Sequence, residues 1–464
     1  MNGRRMLRVY NTLISKKEEF RSLVPGKVRM YNCGPTVYDY FHVGNARNFI
    51  VFDVIRRYLK YKGYKVIFVQ NITDIDDKII NRANKEKVSS ESIADKYTDA
   101  FFDDLEILGI VKPDICPKAT EHVPDIISLI KRLMDAGFAY QVDGDVFFEV
   151  GKFSDYGKLS NRLIDEMKQC SRVAIDKRKK SSRDFALWKS AKSDEPSWNS
   201  PWGKGRPGWH IECSAMSMKY LGETFDIHSG GQDLIFPHHE NEIAQSEAAT
   251  GKPFVKYWLH NGFLNIDGEK MSKSLGNFFL VRDILKKFKP QVVRYFMVSA
   301  HYRSPLDFND KILQEAERAV ERISNCFENI RDNLRDKNIP IKDTHVKWKN
   351  KFEEAMDDDF NTASALGVVF DLITEINSLI ADESRDSTQL KQDILNLETF
   401  CSILGILPGI ENKELDKDLL DLIKERTKAR TKKDWQEADR IRSLLEERGI
   451  VLKDNPDGTT SWKK

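Results

Sequence analysis

Cysteine is scarce in this chain of 464 residues, which contains only six. They are spread along the sequence at Cys33, Cys116, Cys170, Cys213, Cys326 and Cys401. So sparse and scattered a set excludes a disulfide scaffold. We expect no secretory signal, because the first twenty residues contain no apolar core segment. The sequence therefore predicts a cytoplasmic protein with reduced cysteines, for which metal binding or catalysis is a more frequent use than bridging.

The sequence also has little net charge and no long apolar run. Its 74 Lys and Arg against 72 Asp and Glu leave +2, which excludes a uniformly basic nucleic-acid binder but not a local basic patch. No apolar run approaches the roughly 18 residues that span a bilayer, so we expect no membrane partner. With 40% hydrophobic and 31% charged residues, the chain is typical of folded proteins, and its length suggests roughly three folding units.

A strand–helix–strand pattern is present near the start of the chain. Residues 28–33 have the pattern of a short strand that ends in a turn at Gly34. A helical period begins at Gly44 and is capped by Gly63, and residues 66–69 form an apolar run of strand length. This βαβ unit predicts a Rossmann-like, doubly wound parallel sheet. Its ligand site is expected where the first strand leads into the helix.

The rest of the pattern predicts the domain organisation. We expect a catalytic domain in two halves (residues 1–120 and 211–310), an inserted α+β connective segment (121–210), an α-helical bundle (311–408) and a small C-terminal domain (409–464). Within the insertion, Tyr140–Phe148 has the pattern of a hairpin with an Asp-Gly turn. In the second half, Pro237 fits the first position of a helix. The last 50 residues are expected to be helical, with a tail of turn residues.

The segment His42-Val43-Gly44-Asn45 lies between the first strand and its helix. A helix N-terminus offers free N–H groups and a positive dipole to phosphate, and Gly44 allows close approach. His42 and Asn45 are placed to donate hydrogen bonds to the same phosphates. The alternative is a turn histidine that caps the helix.

A second loop, Lys270-Met-Ser-Lys-Ser-Leu-Gly-Asn277, places two lysines three residues apart among small hydroxyl side chains. Lys270 and Lys273 form a cationic pair suited to the charge that develops on a leaving pyrophosphate. The alternative is a solvated basic loop.

Cysteine, histidine and glutamate side chains also suggest a metal site. His238 and Glu242 are four residues apart and share a helical face, Cys213 lies upstream, and Cys33 follows the first strand. Two thiolates, an imidazole and a carboxylate form a plausible zinc shell. Buried structural cysteines with a solvent-facing Glu242 are the alternative. Rival ligands by spacing are His239, Glu240 and Glu247.

The two loops resemble the two signatures of class I aminoacyl-tRNA synthetases, His-Ile-Gly-His and Lys-Met-Ser-Lys-Ser. The second matches letter for letter, and the first has Val43 for Ile and Asn45 for His, which removes a titratable ring. Three further stretches, residues 31–38, 71–78 and 207–213, also carry the resemblance. Together with the two loops they make almost the whole chain similar to the cysteinyl-tRNA synthetase family.

The resemblance implies activation of L-cysteine with ATP and its transfer to the 3′ end of tRNA(Cys). ATP would be bound by His42, Gly44, Asn45, Lys270 and Lys273. All of these except Gly44 would also be catalytic. Mg²⁺ would be held mainly by the phosphate oxygens of ATP. One Zn²⁺ per chain would be held by Cys33, Cys213, His238 and Glu242 and would select the substrate thiolate. The substrate pocket would contain Thr73, Trp209 and Asp233. Asp233 would bind the amino group or the ribose, and core packing is the alternative for Trp209.

A basic stretch near the C-terminus offers a surface for RNA. Residues 424–442 contain eight Lys and Arg and four acids, which leaves +4. The resemblance places the anticodon-binding domain here, with Arg430, Trp435, Asp439 and Asp454 as candidate base contacts, and it implies a monomer. A solvated helix face is the alternative. The basic run at residues 177–180 is either a grip on the acceptor stem or a surface loop.

Two rival functions remain at the level of sequence. A related ligase transfers activated cysteine to an amino sugar, but that family lacks an anticodon module, so residues 415–464 argue against it. An RNA-binding protein with a structural zinc and an inactive catalytic half would have no need for both Lys270 and Lys273.

Overall fold

The computed structural model of the chain describes residues 6–161, 177–192, 195–266, 269–270, 279–334, 346–382, 387–408, 417–431, 434–448, 451–454 and 460–463. The chain divides into two units, Met1–Pro408 and Gly409–Lys464.

Strands and helices alternate in the first part of the chain. In order they are β1 (Arg8–Asn11), β2 (Lys16–Glu19), β3 (Lys27–Asn32), α1 (Val43–Tyr61), β4 (Lys65–Gln70), α2 (Asp77–Glu86) and α3 (Ser90–Ile107). β3 and β4 pair in parallel along their whole length, with α1 as the crossover. Gly63 follows the end of α1 at a φ of +91°, where glycine has no steric cost. The predicted βαβ unit is confirmed.

The insertion has its own small sheet. Its elements are α4 (Val123–Asp135), β5 (Ala139–Val142), β6 (Asp145–Phe148), β7 (Phe185–Ser190) and β8 (Gly205–Pro207). The four strands are antiparallel in the order β5-β6-β7-β8. Asp143 and Gly144 both have positive φ, as a two-residue hairpin turn requires, so the predicted Asp-Gly turn is confirmed.

The segment after the insertion completes the parallel sheet. Its elements are α5 (Trp209–Leu221), β9 (Phe225–Gly231), α6 (Glu240–Thr250), β10 (Val255–Asn261), β11 (Leu264–Ile266), β12 (Glu269–Lys270), α7 (Val281–Leu285), α8 (Pro290–Val298) and β13 (Leu306–Phe308). The parallel order is β10-β9-β3-β4, so β9 lies beside β3 and joins the two halves. The hairpin of β1 and β2 covers β10, where the Asn11 side chain donates to Lys256 O and accepts from Trp258 N.

The helix that the sequence predicts to begin at Pro237 begins later, at Glu240. The Phe236–Pro237 peptide is cis, and the turn at Ile235–His239 that precedes α6 is kinked at Phe236. Phe236 is extended, at φ −136° and ψ 130°. A residue before proline avoids the helical region, which explains why α6 starts only after this turn.

Helices form the remainder of the first unit, namely α9 (Asp310–Leu334), α10 (Lys347–Asp357), α11 (Thr362–Ala381) and α12 (Ser387–Leu404). Among the described helices, α11 alone is long and apolar enough by mean hydropathy to cross a membrane, although Asp371 and Glu375 interrupt its apolar residues. Its inner face (Leu366, Val369, Leu372, Ile373, Ile376) is buried in the hydrophobic core. The length and composition of α11 are therefore also those of a core helix.

The second unit contains α13 (Lys417–Thr431), α14 (Trp435–Glu447), β14 (Val451–Asp454) and β15 (Thr460–Lys463). Its core includes Leu419, Ile441, Leu445 and Leu452. β14 and β15 pair in antiparallel fashion, so the expected tail of turn residues is wrong. The sequence Asn455-Pro-Asp-Gly458 is a turn signal between two short strands, and such signals mark hairpins as well as tails.

Candidate active site

The candidate site lies at the carboxyl ends of β3 and β9, beside the start of α1. Cys33 directly follows β3, and its N–H donates to Ser229 O of β9 at 3.1 Å. A Cβ on Gly34 would lie 1.6 Å from Asn71 O, so only glycine allows the chain after β4 to cross there. This crossing pairs the backbone of Thr73 with Pro35 and Val37, just after Cys33.

The four predicted metal ligands come together. Cys33, Cys213, His238 and Glu242 are all buried, and each offers one ligand atom within 4.8 Å of the other three. Glu242 Oε1 lies 3.1 Å from His238 Nε2 and 3.7 Å from Cys33 Sγ. The alternative of a solvent-facing Glu242 is wrong, since its side chain has no exposed surface.

Burial and mutual contact shift the protonation of these groups in different directions. The hydrogen bond with Cys33 lowers the pKa of Cys213 to about 6. Burial raises the pKa of Cys33 well above its usual range. Burial opposes the charged form of His238, but the nearby Glu242 carboxylate raises the pKa of His238 to about 10. Burial also opposes the charged form of Glu242, but His228 and His238 lower the pKa of Glu242 to about 2. The cluster therefore contains a thiolate, an imidazolium and a carboxylate at neutral pH.

One rival ligand remains possible by geometry. His239 Nε2 lies 3.2 Å from Cys33 Sγ, and Cys33, His228, His239 and Glu242 form a second buried group within the same distance limit.

The other two rivals face away from the cluster. Glu240 accepts hydrogen bonds from the N–H groups of Gly157 and Ser160, both at 2.9 Å. Glu247 contacts Lys158 and accepts from Phe254 N. Both carboxylates therefore hold neighbouring segments in place.

A shell of further histidines surrounds the cluster, and sequence spacing did not reveal it. His228 Nε2 lies 2.8 Å from Glu242 Oε2, His260 Nε2 lies 2.8 Å from His239 Nδ1, and His210 Nδ1 lies 2.8 Å from His238 Nδ1. Burial lowers the pKa of His260 to about 3 and that of His210 well below its usual range, so both are neutral. The one available signal is His228 within the buried strand β9, because a buried polar group needs a partner.

His42 and Asn45 form a capping box at the start of α1. His42 Nδ1 accepts from the N–H groups of Gly44 and Asn45, and Asn45 Oδ1 accepts from His42 N. The helix-capping alternative is therefore present in the structure. Since Nδ1 is the acceptor, a neutral His42 carries its proton on Nε2, and a donor role toward phosphate falls to that atom.

The two predicted lysines differ in how far the structure describes them. Lys270 ends β12 and pairs with Asn265 of β11. Lys273 lies outside the described residues.

Two of the three predicted substrate residues are linked to the cluster or to its neighbours, Trp209 through His238 and Thr73 through Glu212. Thr73 is buried and donates from Oγ1 to Glu212 Oε2 at 3.0 Å. Burial raises the pKa of Glu212 well above its usual range. The Trp209 ring lies 4.2 Å from the His238 ring and is 39% exposed, which argues against core packing. Asp233 is exposed in a 3₁₀ turn after β9.

The candidate RNA contacts lie on three elements of the second unit. Arg430 is in the last turn of α13, Trp435 begins α14 with 58% of its surface exposed, Asp439 is exposed on α14, and Asp454 ends β14.

The basic run at residues 177–180 belongs to the first unit and packs on the inserted sheet. Arg178 forms an ion pair with Asp145, Lys180 pairs with Glu149 at 2.9 Å, and the Lys180 ammonium lies 4.4 Å from the Tyr140 ring. These contacts support the surface-loop alternative.

Three family models match consecutive parts of the chain. The catalytic domain of class I (C) tRNA synthetases matches residues 19–318, the DALR domain matches 351–408, and the cysteinyl-tRNA ligase anticodon binding domain matches 412–462.

Curated relatives cover nearly the whole chain. A cysteine--tRNA ligase of Caldicellulosiruptor saccharolyticus is 51% identical over 461 residues, or 98% of this chain and 99% of that protein. A cysteine--tRNA ligase of Carboxydothermus hydrogenoformans is 51% identical over 465 residues, with 99% and 100% covered.

Solved structures share the fold at low sequence identity. Mycobacterium tuberculosis methionyl-tRNA synthetase with methionyl-adenylate has a TM-score of 0.58 and 16% identity, covering 82% of this chain and 90% of that one. A putative arginyl-tRNA synthetase of Campylobacter jejuni has a TM-score of 0.52 and 15% identity, with 82% and 93% covered. The predicted Rossmann-like α/β fold with helical domains is confirmed.

Proposed function

We propose that this chain, which belongs to the cysteine--tRNA ligase family of class I aminoacyl-tRNA synthetases, joins L-cysteine to tRNA(Cys) with ATP. The observation that carries the choice of amino acid is the buried group Cys33, Cys213, His238 and Glu242. The partners are ATP, L-cysteine and tRNA(Cys). We further propose a cytoplasmic monomer.

The donor set fits zinc. Two sulfurs, one nitrogen and one oxygen suit a borderline-soft ion, and Cys213 already favours the thiolate that a metal needs. When bound, zinc would supply an acceptor for the substrate thiolate, which a serine hydroxyl matches only after a far costlier deprotonation. An apolar pocket alone discriminates poorly between such isosteres.

Residues around the metal group would orient the amino acid. Thr73 is fixed by Glu212, and the partly exposed Trp209 indole packs against the His238 ring at a tilt of 35°. We propose that these two side chains line the pocket. We assign Asp233 to the amino group or the ribose, both of which suit an exposed carboxylate.

We propose that the two signature segments, His42–Asn45 and Lys270–Ser274, serve adenylate formation. The cysteine carboxylate attacks the α-phosphate of ATP, the bond to the β-phosphate oxygen breaks, and pyrophosphate leaves. Phosphoryl transfer requires mainly positioning and charge neutralisation. We assign His42 and Asn45 to the α-phosphate, Lys270 and Lys273 to the pyrophosphate, and Mg²⁺ to the phosphate oxygens.

The second step transfers the cysteinyl group to the terminal adenosine of tRNA. A hydroxyl of the ribose attacks the acyl carbon, and AMP leaves. We propose that the second unit reads the anticodon through Arg430, Trp435, Asp439 and Asp454. Exposed Trp435 offers a stacking face for an unpaired base, which is how single-stranded RNA is commonly held.

Two assays test the proposal. Cysteine-dependent exchange of pyrophosphate into ATP measures activation, and attachment of labelled cysteine to tRNA measures transfer. We expect both, and we expect serine to support neither at comparable concentration. Absence of exchange would overturn the activation step, and exchange without tRNA charging would favour a ligase with a small acceptor. Metal analysis of the purified protein is expected to find one zinc per chain.

A further inference from the structure

Arg47 is a fully buried cation on α1, two residues beyond Asn45. All four of its described hydrogen bonds go to backbone carbonyl oxygens. Nη1 donates to Gly262 O at 3.1 Å and Phe263 O at 2.6 Å, and Nη2 donates to Tyr302 O at 3.3 Å and Ser304 O at 2.5 Å. A single side chain therefore joins α1 to two separate segments.

These two segments are packed directly against each other. Gly262 N donates to Tyr302 O at 2.8 Å, and Leu306 N donates to Phe263 O at 3.0 Å. A Cβ on Gly262 would lie 2.6 Å from Ser304 O, so no larger residue fits. The segments lead into β11 and β13, which pair in parallel. Arg47 thus binds the point where this strand pair begins.

The strand β11 in turn carries β12. Asn265 of β11 pairs with Lys270 of β12 in an antiparallel register. The backbone of Lys270 is therefore connected to Arg47 through one strand, and Arg47 is connected to His42 and Asn45 through the first turns of α1.

The chain returns to the same place after the stretch that contains Lys273. Val43 N donates to Phe279 O at 3.1 Å, and Val281 N donates to Phe41 O at 3.3 Å, on either side of His42. Both ends of the lysine stretch are thus attached to the surroundings of His42.

Arg282 reinforces this second attachment. Its guanidinium lies 4.4 Å from the centre of the Tyr40 ring, and its Nε lies 2.7 Å from Asp104 Oδ1. Nη2 also donates to Ala100 O at 3.2 Å. Arg282 therefore joins the start of α7 to α3 and to the residue two positions before His42.

Arg47 is unusual because, within the described part of the chain, it has no carboxylate partner. Burial lowers its pKa to about 10, and it stays charged at neutral pH. A buried cation with only carbonyl acceptors has a substantial desolvation cost. Lysine has three donors on one atom and does not reproduce the planar fork. Such a buried arginine is expected where fixing the positions of the four backbone carbonyl groups is more important than the stability of the fold.

Arg56 shows what a buried arginine on the same helix looks like elsewhere. It donates to Val111 O and Lys112 O and has a counter-ion, Asp114, at 2.6 Å. It contacts neither segment that flanks the lysine stretch, and it supplies a matched control.

We propose that Arg47 and Arg282 are positioning residues for adenylate formation, which fix the backbone at Lys270 and at Phe279, on either side of residues 271–278, relative to His42. The proposal rests on the function proposed above, because it requires that Lys270 and Lys273 act on the departing pyrophosphate. Neither arginine needs to touch a substrate.

The test is a double-mutant cycle on the full-length zinc-loaded enzyme, with single-turnover adenylate formation as the readout. We expect Arg47→Lys to lower this rate roughly 10- to 100-fold, as small misplacements of catalytic groups do. Zinc content and the KM for cysteine should stay unchanged. In the Lys270→Ala background the same substitution should have little further effect, because the group that Arg47 positions is already absent.

Three comparisons decide the outcome. Arg282→Gln, at a partly exposed site, should show the same non-additivity with Lys273→Ala, because Arg282 holds the chain that follows Lys273, and it provides the test if Arg47→Lys fails to fold. Arg56→Lys should leave the rate largely unchanged and additive. Full additivity for Arg47 and Arg282, or unchanged rates in both single variants, would overturn the proposal. Absence of adenylate formation in the wild-type enzyme would instead overturn the proposed function.

Discussion

His228 Nε2 lies 2.8 Å from Glu242 Oε2, while the other oxygen of Glu242 lies 3.1 Å from His238 Nε2. The carboxylate is therefore held from both sides. The His228 ring is stacked on Trp258 at 4.4 Å, and its Nδ1 has no partner among the described residues. His228 thus orients Glu242 through one hydrogen bond.

Replacement of that histidine should weaken the metal site without abolishing it. In His228→Phe the aromatic stack remains but Glu242 Oε2 loses its donor. We expect zinc affinity, measured by competition with a chelator, to fall roughly 10- to 100-fold. His122→Phe also removes a buried histidine, one that bonds Lys118 O and the Tyr220 hydroxyl and no cluster residue, and it should have no such effect. Complete loss of zinc would instead make His228 a metal ligand, as in the alternative group of Cys33, His228, His239 and Glu242.

Substitution of a cluster cysteine should remove both the metal and the amino-acid selectivity. Cys213→Ser replaces a soft sulfur with a hard hydroxyl, so bound zinc and the preference for cysteine over serine should both be lost. Atomic absorption and pyrophosphate exchange with each amino acid measure the two effects. Cys116→Ser, outside the cluster, should change neither. Stoichiometric zinc with normal selectivity in Cys213→Ser would remove this residue from the shell.

Zinc binding should release protons. At pH 7 Cys33 is protonated because its pKa is raised well above its usual range, and His238 is protonated because its pKa is about 10. Cys213, with a pKa of about 6, and Glu242, with a pKa of about 2, are mostly ionised. Zinc requires all four deprotonated, so binding between pH 7 and 8 should release about two protons, and affinity should rise about 100-fold over that unit. Below pH 6 a third proton, from Cys213, should join them.

Titration calorimetry in buffers of different ionisation enthalpy counts these protons. Release of less than one proton at pH 7.5 would contradict the pairing of charges described for the metal-free cluster.

Removal of the exposed indole of Trp435 should affect tRNA and not activation. Trp435→Ala should lower the kcat/KM for tRNA(Cys) by the equivalent of about 1–3 kcal/mol, the typical value of one base–aromatic stack. Pyrophosphate exchange should remain normal. Gln436→Ala, the next exposed position on α14, is the matched control. An equal effect of the two substitutions on tRNA charging would argue against stacking.

Local sequence signals were sufficient for the fold where one physical cause dominated. Gly63, the apolar run of β4 and the Asp143-Gly144 turn each require one backbone conformation, and the structure has it in all three places. The error at Pro237 had the opposite origin. Proline suits the first turn of a helix, but the same residue also keeps Phe236 extended, and the second effect decides where α6 begins.

The site was predictable only as far as residue type limits the choices. Glu240 and Glu242 are both glutamates at the start of the same helix, so residue type does not distinguish them as metal ligands. Only the structure shows that Glu240 binds backbone N–H groups of the insertion. None of the motifs identified in the sequence includes His228, His260 or Arg47. Their roles depend on contacts that span more than twenty residues in His260 and more than two hundred in Arg47, which no spacing rule encodes.

The attachment of Asn11 to β10 has a consequence for solubility. β10 is an outer strand of the parallel sheet, and the Asn11 side chain occupies the backbone groups of Lys256 and Trp258 that would otherwise face a neighbour. Uncovered outer strands recruit strands from other molecules and begin aggregation. Asn11→Ala should therefore increase light scattering during refolding, whereas Ser15→Ala should not. The hairpin at residues 8–19 is thus a part of the fold that also protects the outer strand β10 from self-association.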